Sequence, residues 1–122
     1  MIGPERAATA ARIDAADVDL DAAQTLLEAD NPRAREAARQ LLTAIEADLG
    51  LMASAADTDT ETARQLLSVR ADLSGHLLAA GALETAGAPA DGVTRMLRRA
   101  TGIARAGLWL AAPRTPVGAG GR

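Results

Sequence analysis

The chain of 122 residues has no cysteine, lysine, phenylalanine or tyrosine, and it has one tryptophan and one histidine. Without cysteine there is no disulfide framework and no thiolate metal ligand. Without lysine there is no Schiff-base amine and no phosphate-binding P-loop lysine. A single histidine cannot supply a metal site that needs two imidazole ligands. These absences remove many familiar enzyme classes, and the sequence predicts no metal and no cofactor.

The residues that are present favour helices. Alanine occurs 31 times, leucine 16 times and arginine 13 times, and all three are good helix formers. Valine and isoleucine, which favour strands, occur four times each. The composition therefore predicts an all-α fold. The length suits one domain, which we place at residues 1–112, followed by a Pro/Gly-rich tail at 113–122 that we predict to be disordered.

Amphipathic segments with short connections divide this domain. The predicted helices span residues 14–30, 32–56, 59–81 and 91–112. Asn31 followed by Pro32 is typical of a helix start, and Thr58 with Glu61 matches a capping box. Whether residues 1–13 extend the first helix is left open by the sequence. The economical arrangement of four such helices is an antiparallel four-helix bundle.

The apolar core predicted from the sequence is thin. The chain has 28 large apolar side chains, so alanine must fill much of the remaining space between the helices. A heptad-like stripe follows the second helix through Ala38, Leu42, Ile45, Leu49 and Met52. On the last helix, small residues four apart such as Ala100 and Ala104 allow another helix to approach closely. We therefore expect a homodimer, in which a second copy covers apolar surface that one copy leaves exposed.

Charge is segregated along the chain. Residues 1–30 carry a net charge of −5, whereas residues 84–122 carry +4. The last helix has a basic face opposite its apolar seam, made of Arg95, Arg98, Arg99 and Arg105. Three interpretations are open: a solvated helix surface, a docking site for an acidic partner such as the N-terminal segment, or a nucleic-acid site. Nucleic acid is the least favoured, because no aromatic residue accompanies the arginines to stack on bases.

His76 is the only side chain whose ordinary pKa lies near neutrality. Asp72 precedes it by four residues and lies on the same helical face, where its carboxylate can orient the imidazole. The pair supports one alternative function, a small enzyme or ligand-binding bundle with a pocket around His76. No nucleophile in a recognisable setting accompanies the pair, so a histidine at a helix seam is the simpler interpretation.

Trp109 is the only aromatic residue and lies near the end of the last helix. Its neighbours Leu108 and Leu110 point to opposite flanks, which makes this end of the helix apolar nearly all round. Exposed apolar patches mark interfaces, and tryptophan is enriched at binding hot spots. The sequence therefore offers Trp109, Leu108 and Leu110 as a candidate dimer or partner interface, with core packing and a ligand pocket as alternatives.

Two segments carry a resemblance to known proteins. AREAARQLL at 34–42 and SGHLLAAG at 74–81, set in short amphipathic helices, resemble small helical proteins of streptomycetes that are often encoded beside natural-product biosynthesis genes. Proteins of that group have no defined activity. The resemblance implies an accessory role in the specialised metabolism of an actinobacterium, and it assigns no catalytic residue.

The function predicted from these observations is that of a non-catalytic accessory or interaction protein, with itself or another protein as its partner. A small-molecule ligand is the alternative partner. The opening MIGPERAATAARID is not the apolar core of a signal peptide, and arginines interrupt the longest apolar run before it reaches membrane-spanning length. We therefore expect a cytoplasmic protein that does not associate with membranes.

Overall fold

The computed structural model describes residues 4–112, with side chains from residue 8 onward. All regular structure in this range is helical, which confirms the all-α class. The four helices are α1 (Pro4–Ala29), α2 (Pro32–Ala53), α3 (Thr60–Thr85) and α4 (Ala90–Ala111). The tail predicted at 113–122 lies outside the described residues.

The caps of α2 and α3 explain where these helices begin. The Asn31 side chain accepts a hydrogen bond from the Ala34 backbone N–H at 2.8 Å, as its sequence position predicts. At α3 the cap is Asp59, which accepts from the Thr62 backbone N–H at 2.7 Å. The predicted capping box at Thr58 is therefore wrong by one residue. The Thr58 hydroxyl instead donates to the Met52 carbonyl at 2.8 Å, beside the Ala55 backbone N–H that donates to the same carbonyl at 3.3 Å.

α3 continues past Gly81, where the sequence suggested that it would stop. Its end is set by Gly87, whose φ of +77° lies in the left-handed region that favours glycine. The Gly87 N–H donates to the Glu84 carbonyl at 3.1 Å, and the Ala88 N–H donates to the Leu83 carbonyl at 2.9 Å. This pair of bonds is a Schellman motif, which closes the helix six residues later than Gly81 would have done.

The helices form a bundle in which neighbours in sequence are neighbours in space. α1 and α3 each pack against α2 and α4, whereas α1 and α3 do not pair with each other within residues 4–112. Arg105 of α4 contacts Asp21 of α1, and Thr94 of α4 contacts Asp30, the residue that follows the end of α1. Residue numbers thus rise along one helix as they fall along the other, so these two helices are antiparallel.

α2 and α4 also contact each other across the bundle, because small residues on α4 face α2. Ala100 and Ala104 are fully buried. A Cβ atom placed on Gly107 would lie 3.0 Å from side-chain carbons of both Leu49 and Val69. α4 therefore lies close to Leu49 of α2 at Gly107, within this one copy. Ala100 and Ala104, seven and three residues earlier, lie on the same face of α4.

Candidate functional site

The predicted pair of His76 and Asp72 does meet on one face of α3. The Nδ1 atom of His76 donates to the Asp72 backbone carbonyl at 2.9 Å, and it lies 3.3 Å from the Asp72 carboxylate. The imidazole is 25% exposed and the carboxylate 60% exposed. Because a backbone carbonyl can only accept, the contact fixes a proton on Nδ1. The Asp72 residue can therefore orient the imidazole ring. Both side chains lie at the surface of α3, where water reaches them.

The predicted apolar end of α4 is divided by the fold. Leu108 is 3% exposed and belongs to the core, and Leu110 is half-buried and packs against that core. Trp109 is 62% exposed. Three successive helical residues point in directions about 100° apart, so only one of the three candidates presents a large apolar surface to solvent.

The predicted basic face lies beside the acidic first helix. Arg95, Arg98, Arg99 and Arg105 are all exposed. Arg105 donates to the Asp21 carboxylate at 3.4 Å and to the Gln24 side-chain oxygen at 3.1 Å, both on α1. A shallow depression brings Arg95 and Arg98 together with Glu28, Asp30 and Asp91. The acidic and basic segments, which are far apart in the sequence, are therefore neighbours in space, because α4 packs against α1.

A buried arginine that the sequence analysis missed joins three helices and a turn. The Arg35 side chain on α2 is 5% exposed. Its Nε and Nη2 atoms donate to the two carboxylate oxygens of Glu84 on α3, at 2.8 and 3.2 Å. Its Nη1 atom donates to Asp30 at 3.3 Å, and Asp30 also accepts from the Thr94 hydroxyl of α4 at 3.1 Å. We call these four residues the arginine clasp.

The electrostatics of the arginine clasp follow from its bidentate pair. The hydrogen bond to Glu84 raises the pKa of Arg35, against the opposing effect of burial. The same bond holds the pKa of the Glu84 carboxyl below its usual range. Asp30, in the turn before α2, has a φ of +50°, a conformation that Asp adopts more readily than most residues. The clasp therefore stabilises both an unusual turn and a buried charge.

A signal for Arg35 was present in the sequence. Arg35 precedes Ala38 by three residues and Leu42 by seven, so it lies at a core-facing position of the α2 stripe. A charge on a core-facing position requires a partner. The sequence pattern does not reveal Glu84 as that partner, because Glu84 lies between the predicted helices 59–81 and 91–112.

A groove of about 610 Å³ opens next to the arginine clasp, between α2, α3 and α4. Its apolar lining comes from Leu77, Leu78, Ala80, Val93 and Leu97, and its charged lining from Arg35, Glu36, Arg39 and Glu84. Arg39 donates to Glu36 through Nε and Nη2 at 2.8–3.0 Å. A Cβ atom on Gly81 would lie 3.9 Å from Nη1 of Arg39. His76 and Asp72 do not line this groove.

The outward side of α3 carries apolar residues that α1, α2 and α4 leave exposed within residues 4–112. We define the outer stripe as Leu67, Ala71, Gly75, Leu78 and Ala82, all of which are exposed. Their spacing of three or four residues places them on one face of the helix. Leu67 is 48% and Leu78 72% exposed. A Cβ atom on Gly75 would have no atom within 4 Å, so the middle of the stripe is open.

Other large apolar side chains are exposed singly. Val18, Leu51 and Trp109 are 68%, 51% and 62% exposed and lie on three different helices. Single exposed apolar residues are normal on protein surfaces. Among the described side chains, the outer stripe is the place where two exposed leucines share one face, and small residues separate them.

Between residues 4 and 112, no helix combines the length and the apolar character needed to cross a membrane. In the same part of the chain, no three side chains of His, Asp or Glu are gathered so as to hold a metal ion. No protein-family model, no curated protein and no solved structure matches the chain.

Proposed function

We propose that this chain is a non-catalytic interaction protein that self-associates through the outer stripe of α3. One observation carries the proposal: Leu67 and Leu78 are 48% and 72% exposed on one helical face, with only small residues between them. Leaving such surface in water costs about 25 cal/mol per Å² of apolar area, and a partner removes that cost. The outer stripe is the surface that we propose for the self-association predicted from the thin core.

Substitution within the outer stripe tests this proposal. We expect Leu78→Glu to shift the chain to the monomer, because a charge would have to be buried in the interface. The matched control is Val18→Glu, which places the same charge at a similarly exposed residue on α1. Light scattering after size-exclusion chromatography, over a concentration series that extends from micromolar to millimolar, measures the mass of the unchanged chain and of both variants.

Two results would contradict the proposal. A strictly monomeric mass for the unchanged chain would remove self-association altogether. An equal loss of dimer in Leu78→Glu and Val18→Glu would show that the effect of the charge does not depend on the outer stripe. Circular dichroism of each variant verifies that the helices are retained.

The wider role is that of an accessory protein in the natural-product biosynthesis of an actinobacterium, in the cytoplasm. It is supported by the resemblance carried by the segments 34–42 and 74–81. Deletion of the gene, with measurement of the products made by neighbouring biosynthetic genes, tests this role. Unchanged amounts of every such product would contradict it.

A second candidate function is binding of an apolar small molecule in the groove beside the arginine clasp. The groove volume of about 610 Å³ falls within the range of ligand sites in proteins. A hydrophobic fluorescent dye serves as the probe. We expect Gly81→Leu to fill the groove and reduce dye fluorescence, whereas Gly102→Leu, at an exposed glycine of α4, leaves it unchanged. Equal dye fluorescence in both variants would exclude this site.

A further inference from the structure

We infer that the outer stripe binds the same stripe of a second copy in the antiparallel direction, with the two-fold axis beside Ser74 and Gly75. This inference rests on the proposed function and adds the geometry of the interface. A two-fold interface uses the same surface on both copies, so each residue must fit the one that the symmetry brings opposite to it. The outer stripe meets this requirement in the antiparallel direction.

Residue size is the first argument for this geometry. With the axis between Ser74 and Gly75, Leu67 of one copy faces Ala82 of the other, and Ala71 faces Leu78. Each exposed leucine then meets an alanine, and the open centre at Gly75 lets the two backbones approach. In the parallel direction Leu67 would face Leu67 and Ala71 would face Ala71, which crowds one level of the interface and leaves a gap at the next.

Charge is the second argument. Arg64 is 72% exposed and lies one turn before the stripe. In the antiparallel pair it comes next to the C-terminal end of the other α3, where the helix dipole is negative. A parallel pair would place the two Arg64 side chains together, each paired with its own Glu61 at 3.0 Å, and would lose this contact with the helix end.

The extent of the stripe sets the expected strength of association. From Leu67 to Ala82 it is about 22 Å long, at the helical rise of about 1.5 Å per residue. One such helix pair is a small interface compared with a standard stable complex. The dimer is therefore weak, and its population depends on protein concentration.

Cross-linking between introduced cysteines tests the direction, because the chain has no cysteine of its own. Two single variants, Leu67→Cys and Ala82→Cys, are oxidised separately and as a mixture. We expect a covalent dimer in the mixture and little in either variant alone. In the antiparallel pair two copies of residue 67 are about 22 Å apart, whereas a disulfide needs Cα atoms within about 7 Å. Gly75→Cys, next to the axis, is expected to cross-link with itself.

The outcomes separate this inference from the proposed function. Cross-linking of Leu67→Cys with itself would show a parallel pair and overturn the inference, while a dimer that Leu78→Glu abolishes would leave the proposed function intact. A mixture that cross-links no faster than Val18→Cys mixed with Ala82→Cys would overturn it too, because that yield measures random collision. A monomeric mass for the unchanged chain would overturn both.

Discussion

Arg35 places a full positive charge inside the bundle, and Glu84 is the group that makes this tolerable. Removing one partner of a buried pair costs more than the pair contributes, because the other charge stays buried without compensation. Water reaches Glu84, which is 39% exposed, and this reduces the penalty. We therefore expect a single polar substitution in the clasp to lower stability measurably.

We expect Glu84→Gln to lower the free energy of unfolding at neutral pH by about 1–2 kcal/mol. The Arg35 guanidinium lowers the pKa of Glu84 below its ordinary value of 4.5, so this stabilisation is complete above that value and is lost as the pH falls through the folded-state pKa. Urea unfolding at pH 7 and at pH 3 measures the difference, which should shrink at pH 3. Glu36→Gln, at an exposed ion pair, is the control and should change little. Equal stability of all three proteins at pH 7 would contradict the prediction.

Asp48 on α2 is a carboxylate under the opposite influence. Burial raises its pKa above the ordinary value of 3.8, Arg12 lowers it in part, and Asp19 adds to the rise. Folding therefore disfavours the ionised form. We expect Asp48→Asn to stabilise the protein at neutral pH, by less than about 1 kcal/mol, with the gain fading as the pH falls towards 3.8 and the native carboxyl becomes protonated. A melting temperature of Asp48→Asn that is equal to or below that of the native chain at pH 7 would contradict this prediction.

The start or end of a helix can be predicted from the sequence where one local signal is present, and less well where two such signals compete. Asn31 and Pro32 define the start of α2, and no tertiary contact is needed to recognise them. Near the end of α3 there are two glycines, Gly81 and Gly87. Only the second adopts a positive φ, which depends on the turn into α4 and cannot be deduced from composition. The same uncertainty removed Glu84 from the predicted helix, and with it the partner of Arg35.

Two glycines of α4 differ in what surrounds them, and this gives opposite expectations. A Cβ atom at Gly102 meets nothing within 4 Å, so Gly102→Ala should raise stability by about 0.5–1 kcal/mol through reduced backbone entropy. A Cβ atom at Gly107 would lie 3.0 Å from side-chain carbons of Leu49 and Val69, so Gly107→Val should lower stability by about 1–3 kcal/mol through overpacking. Denaturant midpoints measure both. If Gly107→Val raised the stability instead, the space between α2 and α4 would have to be larger than these distances indicate.

On the scale of the whole molecule, the sequence predicted the class and the bundle but not which surfaces remain exposed. Trp109 and Leu108 were equivalent candidates by composition, and only the rotation of α4 about its axis distinguishes them. The apolar residues of α3 lie on two faces of that helix. The buried face could be recognised from its periodicity, whereas exposure of Leu67 and Leu78 depends on α1 lying across the bundle, where it does not cover them.

Trp109 provides an intrinsic probe of the assembly, since the chain has no other aromatic residue. It lies on α4, outside the outer stripe, and is 62% exposed. We expect its emission maximum to stay unchanged as the concentration rises and the dimer forms, because association through α3 does not desolvate it. A blue shift that follows dimer formation would instead assign the interface to the end of α4.

The arginine clasp also has a consequence for the order of folding. Its two long-range contacts join residues 49 and 64 positions apart in sequence. Closing such loops costs entropy before any contact repays it, while the helices and their neighbouring pairs form from local contacts. We therefore expect the clasp to be completed after the main barrier has been crossed, so that Glu84→Gln speeds unfolding and leaves the folding rate nearly unchanged. One buried arginine would in this way prolong the lifetime of the native bundle.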